Sequence, residues 1–362
     1  MSNCPKIAFA GGGTGGHIYP GLAVAAELKK KECSVFWIGS KKELDRRIVE
    51  GTGIQFFDIP SGKLRRYFSL QNFADVFRTI AGFFAARNIL KKEKPALLFS
   101  KGGFVSVPPV IAAFSLKIPV FTHESDFSPG LATRINSFFS EKILVSYHET
   151  VSKFKVQMRK KVQVTGNPVR RIFRSTDAES GRRFLGVEGP ILLVLGGSQG
   201  AREINNIVMD NLEALTRFYT VVHQTGAMDA ERTPPVSPRY KPLQYIGEEM
   251  PYILAAADMV LSRSGAGTVW ECASAGKPML LVPLRGSGTR GDQVENARFF
   301  EQAGAAIVQT DAKSIVQTAL SLGEDESKLR AMSHAASEVG ALDGTEEITR
   351  MILFRNHQKK HF

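Results

Sequence analysis

Two glycine-rich loops stand at matching places in the two halves of this 362-residue chain. Gly11–His17 (GGGTGGH) follows the apolar run Lys6–Ala10 and opens an amphipathic pattern that reaches Leu28. Gly196–Ala201 (GGSQGA) follows Ile191–Leu195 and opens a second such pattern, about 185 residues downstream. Glycine allows a tight turn and close backbone approach, and N–H groups at a helix start can hold a phosphate. One such unit is weak evidence. Two of them predict twin Rossmann-like domains with parallel sheets facing a shared cleft. In the second loop, Ser198, its neighbouring N–H groups and the helix dipole suit a diphosphate.

Further polar groups fall where strands end. His17 starts the first helix, either as a proton-transfer group near neutral pH or as a helix-start histidine bonded to backbone. Ser100–Pro109 (SKGGFVSVPP) is a second phosphate cradle in the same half or a plain strand-to-helix turn. Thr122–Asp126 (THESD) ends another strand, and Glu124 suits sugar hydroxyls, acid–base work or a structural hydrogen-bond network. Downstream, Ser262–Glu271 (SRSGAGTVWE) is a strand end, a small-residue turn and a helix. A carboxylate about one turn into that helix, Glu271, can accept two hydrogen bonds from a ribose diol. Asp292, Gln293 and Asn296 follow the next strand, where contacts to sugar hydroxyls are expected. No D-x-D triplet occurs in the chain, so a diphosphate bridged by a metal on paired carboxylates is unsupported. Backbone N–H groups, a helix N-terminus and Arg170 would stabilise the leaving group instead.

These residues need strands and helices in alternation, and the chain supplies them. Strands are expected at Lys6–Ala10, Ser34–Gly39, Ala96–Ser100, Pro119–Thr122 and Lys142–Val145. A second set is expected at Ile191–Leu195, Thr220–His223, Met259–Leu261, Met279–Val282 and Ala306–Gln309. Helical patterns fill much of the space between, which predicts α/β domains with parallel sheets covered on both faces. Gly-Asn-Pro within Lys161–Arg171 breaks regular structure, and the interdomain crossing is placed there. The domains are then residues 1–163 and 164–341, with a C-terminal helix in 342–362 packing back on the first. Ligands of such sheets bind at the C-terminal strand ends. After the second strand stand Gly39, Ser40, Lys41 and Lys42, with no acidic residue placed for a dinucleotide ribose, which argues against NAD.

Composition narrows the classes. Hydrophobic content of 43% and charged content of 23% are those of a globular protein. No apolar stretch reaches the roughly 20 residues that span a bilayer, and no signal-peptide pattern is expected at the N-terminus. Cys4, Cys33 and Cys272 are scattered without zinc spacing, which predicts a reduced compartment and no structural metal. The net charge of +12 points to polyanionic partners, or simply to a basic proteome. The familiar nucleic-acid modules are absent, so nucleic acid is not an expected partner.

Taken in order, GGTGGH with PGLAVA, KGGFVSVP, HES-x4-GLA, GNPVR, GGSQGA, SRSGAGTVWE and DQxxNA span residues 11–297. With these motifs the chain closely resembles the MurG family, the lipid I N-acetylglucosaminyltransferases of bacterial peptidoglycan synthesis. The resemblance implies a GT-B fold and transfer of GlcNAc from UDP-GlcNAc to the C4 hydroxyl of MurNAc in undecaprenyl-diphosphate-MurNAc-pentapeptide. It also implies inversion, no metal, no cofactor and a peripheral place on the cytoplasmic membrane face. Carried over by position, Thr14, Gly15 and Gly16 resemble the loop that meets donor and acceptor, and His17 the family's candidate base. Arg170, Ser198, the run Ala266, Gly267, Thr268, Val269, Trp270 and Glu271, and Gln293 resemble donor contacts. Glu271 would lie on the ribose and Gln293 on the GlcNAc hydroxyls. Ile246, or Gly247 one residue on, resembles the backbone contact to uracil. Three departures stand out. His123-Glu124-Ser125-Asp126 replaces HEQN, putting Asp126 where an amide contacts the donor. Phe104 stands where a tyrosine is common. The loop Arg285–Gly291 is slightly long.

One more segment bears on location. Arg65 and Arg66 precede an apolar stretch in which Phe73, Phe77, Ile80 and Phe84 share one helical face. Much of that row is expected to face the core. Val76 and Phe83 lie to one side and widen the apolar face, and Arg78, Arg87, Lys91, Lys92 and Lys94 flank it. Part of the segment is therefore expected to dock on an anionic membrane surface. Rival readings are a GT-B nucleotide-sugar 2-epimerase, which needs no lipid acceptor, another lipid-acceptor glycosyltransferase, a non-catalytic nucleotide-sugar-binding partner, and a nicotinamide dehydrogenase.

Overall fold

The runs of Val, Ile, Leu and Phe form strands that are buried on both faces in the computed structural model, which describes residues 4–62, 70–196, 200–285 and 291–358. They belong to two units: residues 1–170 with 343–362, and residues 171–342.

In the first unit β1 (Ile7–Ala10), β2 (Val35–Ser40), β3 (Gln55–Ile59), β4 (Leu97–Ser100), β5 (Val120–Glu124), β6 (Lys142–Val145) and β7 (Val162–Val164) make one parallel sheet. Its order is β3-β2-β1-β4-β5-β6-β7. Successive strands therefore run outward from β1 on one side and from β4 on the other. Phe9 stacks on Trp37 and meets Phe99 edge-on, which packs one face of the sheet around this centre. The C-terminal helix Gly344–Gln358 lies against the first helix, Tyr19–Lys30, with Ile348 and Ile352 in the same core. Arg355 holds it further through both carboxylate oxygens of Glu141.

In the second unit β8 (Ile191–Leu195), β9 (Thr220–Gln224), β10 (Tyr240–Leu243), β11 (Met259–Ser262), β12 (Met279–Leu281) and β13 (Ala306–Val308) are also all parallel. Their order, β10-β9-β8-β11-β12-β13, has the same outward progression from its centre. Both sheets are Rossmann-like. Each has one switch point, β1/β4 in the first and β8/β11 in the second, where loops from adjacent strand ends diverge and leave room for a ligand. The glycine-rich motifs of the sequence fall at these two places.

Three strands escape the sequence reading: β3, β7 and β10. All three are sheet edges. Edge strands are half exposed and mix polar with apolar residues, so they lack the continuous apolar run of a central parallel strand. β10 even holds Pro242, which an edge tolerates. β7 lies inside Lys161–Arg171, so that stretch contributes to the first sheet before the chain leaves the unit after Arg170.

The cysteines require a correction. Cys4 and Cys33 are joined by a disulfide, and Cys272 is free and buried. The β1–β2 register pairs Ile7 with Val35 and so brings the residues before each strand side by side. Spacing along the chain did not reveal that neighbour relation.

Candidate functional site

At the first switch point, Thr14 through His17 form a single 3-10 turn, closed by His17 N–H to the Thr14 carbonyl (3.1 Å). Thr14 and Gly16 are exposed, and Gly15 and His17 are half-buried. The His17 ring packs against the loop after β4. A Cβ placed on Gly103 would lie 3.0 Å from His17 Cδ2, and Gly103 has φ 74°, so only glycine suits both demands. The KGGF turn and the GGTGGH turn thus meet, and the imidazole lies between them. Asp45, which the sequence reading passed over, anchors the arrangement. Its buried carboxylate accepts from Gly13 N–H (2.7 Å) and from Ser40 Oγ (2.5 Å), and Lys42 Nζ donates to the Gly13 carbonyl (3.0 Å). Its signal was an acid in the first turn of helix Glu43–Glu50, just beyond β2.

The end of β5 is a buried polar cluster. Glu124 spends both oxygens on backbone, accepting from Asp126 N–H (3.1 Å) and Gly130 N–H (2.9 Å) at the start of helix Leu131–Phe139. Of its open readings, the structural network is the one the geometry selects. His123 is fully buried. Burial, then the Lys101 charge, hold its pKa well below the usual imidazole range, so it is neutral. Its Nε2 faces the Gly166 carbonyl at 3.1 Å and therefore carries the proton, while Nδ1 has no hydrogen-bond partner among the described residues. Asp126 is half-buried at the end of this cluster.

Arg170 closes the first unit. Its guanidinium lies over the Tyr19 ring, 5.5 Å from the centroid, at the start of the first helix. The sequence grouped it with the second half. The structure places it among the first-unit residues instead.

At the second switch point, Gly200 has φ 80°, and a Cβ there would collide with the Thr225 carbonyl. Behind the loop, His223 Nε2 lies 3.0 Å from Asn205 Oδ1 and Nδ1 lies 3.1 Å from Tyr240 Oη. Asn205 in turn donates to the Thr225 carbonyl (2.7 Å) and to Asp229 (2.8 Å). Burial lowers His223 to about 4, so this network is neutral at the imidazole. Ser198 lies outside the described residues.

The remaining second-unit positions gather around β11. Ser264 Oγ donates to the Gln293 carbonyl (2.8 Å), and Asn296 Nδ2 donates to the Ser264 carbonyl (3.1 Å). These bonds tie the start of helix Ala266–Ser274 to the start of helix Asp292–Gln302. Gln293 Oε1 accepts from Leu284 N–H (3.0 Å). Of the run Ala266–Glu271, Gly267, Thr268 and Glu271 are half-buried and accessible. The side chains of Val269 and Trp270 are in the core, with Trp270 edge-on to Phe300. Those two side chains are therefore unavailable to a ligand, because they are the inward face of the helix that carries Glu271. Ile246 is also buried, and its N–H already donates to Gln224 Oε1 (2.9 Å). That bond fixes the backbone at this position. Gly247 N–H is likewise engaged, with Glu249 (3.2 Å).

Comparison with known proteins decides what this arrangement belongs to. Residues 7–145 match the glycosyltransferase family 28 N-terminal domain and residues 191–348 its C-terminal domain. A protein of Treponema denticola is 52% identical over 324 residues, 83% of this chain and 83% of its own length. It is named UDP-N-acetylglucosamine--N-acetylmuramyl-(pentapeptide) pyrophosphoryl-undecaprenol N-acetylglucosamine transferase. The chain belongs to the MurG family of N-acetylglucosaminyltransferases. In fold it is similar to the crystal structure of Acinetobacter baumannii MurG, with a TM-score of 0.72 at 24% identity, covering 96% of this chain and 99% of that one. It is also similar in fold to a UDP-GlcNAc 2-epimerase from Neisseria meningitidis, with a TM-score of 0.68 at 18% identity, covering 97% and 99%. Phe104 lies in the turn that packs on His17, and the Asp126 charge acts on buried Lys101.

The long helix Leu70–Glu93 corrects the expectation for its apolar row. Phe77 is 71% exposed and Phe84 59%, and Ile80 and Val76 are exposed as well. Phe83 instead packs half-buried on the core with Ala86 and Leu90. The row expected to face inward along much of the helix faces outward, because Phe83, Ala86 and Leu90 form the face that meets the sheet. Arg65 and Arg66 lie outside the described residues, as does the side chain of Phe73. No helix among the described residues is long and apolar enough to cross a membrane.

Proposed function

We propose that this enzyme moves GlcNAc from UDP-GlcNAc to the C4 hydroxyl of MurNAc in lipid I, with inversion and without a metal. The observation that carries the reading is the imidazole of His17, held between two glycine turns at the β1/β4 switch point. There it takes the proton as the hydroxyl oxygen bonds to the sugar's anomeric carbon. The bond from that carbon to UDP breaks in the same displacement, and inversion follows from attack opposite the leaving group. Thr14, Gly15 and Gly16 offer backbone to a diphosphate beside His17. Arg170 neutralises charge on the leaving diphosphate, and the Ser198 hydroxyl donates a hydrogen bond to it. Glu271 accepts from the ribose diol, and the Gln293 amide, steadied by Leu284, reads the GlcNAc hydroxyls. The Ile246 carbonyl reads uracil, and Asp126 is a further donor contact.

The lipid acceptor calls for a membrane surface. Val76, Phe77, Ile80 and Phe84 on one exposed helix face, with Phe114 exposed on the helix packed beside it, supply an apolar patch. Arg78, Arg87, Lys91 and Lys92 lie along the same helix and would meet anionic headgroups. An epimerase has no use for such a patch.

The test is incubation of the protein with labelled UDP-GlcNAc and a lipid I analogue. Appearance of a disaccharide lipid and UDP supports the reading. Conversion of UDP-GlcNAc to its 2-epimer without acceptor would select the epimerase.

A further inference from the structure

Lys101 is a buried charge that the transfer chemistry above does not use. It follows β4 directly, and its N–H donates to the Ala10 carbonyl at the end of β1 (2.8 Å). Its side chain is turned inward, and the residue is 2% exposed. Nζ donates to Ser125 Oγ (2.7 Å), and Ser125 Oγ donates to Asn167 Oδ1 (2.5 Å). One chain of hydrogen bonds therefore joins the residues that follow β4, β5 and β7. The His123–Gly166 bond runs beside it. The next residue, Gly102, begins the turn against which His17 packs, with the Gly102 Cβ direction pointing to within 3.9 Å of His17 Nδ1.

Burial opposes the charge on Lys101, and Glu124 and Asp126 offset that only in part, leaving its pKa at about 8. A lysine whose charged form the fold disfavours is not there to stabilise the fold, since apolar residues of similar volume often do that better. What it supplies is a fixed position.

We propose that Lys101 is a positioning residue of the transfer reaction, a statement that rests on the function assigned above. Through Ser125 and Asn167 it locks three strand-end loops into one ledge, and by charge it holds the Asp126 end of that ledge beside the turn that carries His17. Glu124 and Asp126 act on its charge and His123 feels it, all on the β5 end, while His17 of the first loop faces the neighbouring Gly102. When Lys101 loses its proton, the hydrogen bond to Ser125 weakens and the hold on Asp126 is lost, so the ledge loosens.

The experiment uses the full chain, with Lys101→Met and Ser125→Ala as variants. Turnover of UDP-GlcNAc with a lipid I analogue is followed with rising pH, beside donor calorimetry and thermal unfolding. Both variants should lower kcat by about ten- to a hundredfold, the scale of a small misplacement of reacting groups. Donor affinity should fall less than kcat in both, Lys101→Met should keep its unfolding temperature, and Ser125→Ala should lower it because Lys101 Nζ and Asn167 Oδ1 lose their shared partner. The wild type should lose activity as pH rises through about 8, and Lys101→Met should lack that limb. Wild-type kcat in both variants overturns the proposal. So does an alkaline limb shared by wild type and Lys101→Met, or a fall in unfolding temperature that tracks kcat in both variants, which would mark a packing role. A wild type that leaves lipid I untouched refutes the functional reading itself and this proposal with it. That result is visible before any variant is compared.

Discussion

The strand ends of the two units carry different kinds of buried polar group. In the first, Asp45, Lys101 and Glu124 are ionisable side chains set behind the glycine turns, beside a neutral His123. In the second, the loops rest mainly on neutral groups: His223 with Asn205 and Tyr240, Gln224 on Ile246, Ser264 on Gln293. The buried carboxylate there, Asp229, is bonded by Asn205 and faced by Arg202 and Arg232. A site that moves a proton needs charge held at a fixed place in low dielectric. A site that reads a base and sugar hydroxyls needs fixed donors and acceptors, and neutral ones are cheaper to bury. The contrast fits the proposal above, with the proton moved in the first unit and the base, ribose and GlcNAc read mainly in the second.

Four measurements press on that contrast. The largest effect is expected at His17. His17→Ala should lower turnover by about 10²–10⁴-fold, the usual contribution of a general base, with UDP-GlcNAc affinity unchanged by calorimetry. A loss confined to acceptor KM would turn His17 into a phosphate-binding residue and blur the division. Next is the pH dependence of stability. Because burial lowers His223 to about 4 from 6.5, the unfolded chain binds that proton first. Stability is therefore full above about pH 6.5 and declines by roughly 3 kcal/mol as pH falls towards about 4. His123 acts in the same direction. Urea unfolding of wild type, His223→Gln and His123→Gln would separate the two, and an acid slope unchanged in His223→Gln would contradict the neutral network.

Glu271→Ala comes third. It should weaken UDP-GlcNAc by about 1.5–3 kcal/mol, the range for hydrogen bonds to a charged group. Equal donor affinity in wild type and variant would move ribose recognition elsewhere. The smallest effect is expected on the exposed face of helix Leu70–Glu93. Phe84→Ser should weaken co-sedimentation with anionic vesicles by about 1 kcal/mol, below the 1.5–3 kcal/mol of a fully buried large apolar side chain. Phe83→Ser, whose ring packs on the core, should instead lower the unfolding temperature. Equal vesicle binding by wild type and Phe84→Ser would place the membrane contact on another face.

The sequence made the glycine loops, the central strands and the α/β alternation legible, because each depends on residues near one another in the chain. A Val-Ile-Leu run between turn residues becomes a central parallel strand wherever it packs. A glycine pair after it makes a tight turn for the same local reason. That His17, Glu271 and Gln293 stand close after such turns could be read for the same local reason, and their roles are the proposal made above. Tertiary structure decided the rest, because burial and hydrogen-bond partners depend on sheet order. Asp45 reaches Gly13, 32 residues away, only because β2 lies beside β1. Ser125 reaches Asn167, 42 residues away, across the β5-β6-β7 edge. The apolar pattern of Leu70–Glu93 has candidates for the core on more than one side, and only packing on the sheet turned Phe83 inward and Phe77 and Phe84 outward.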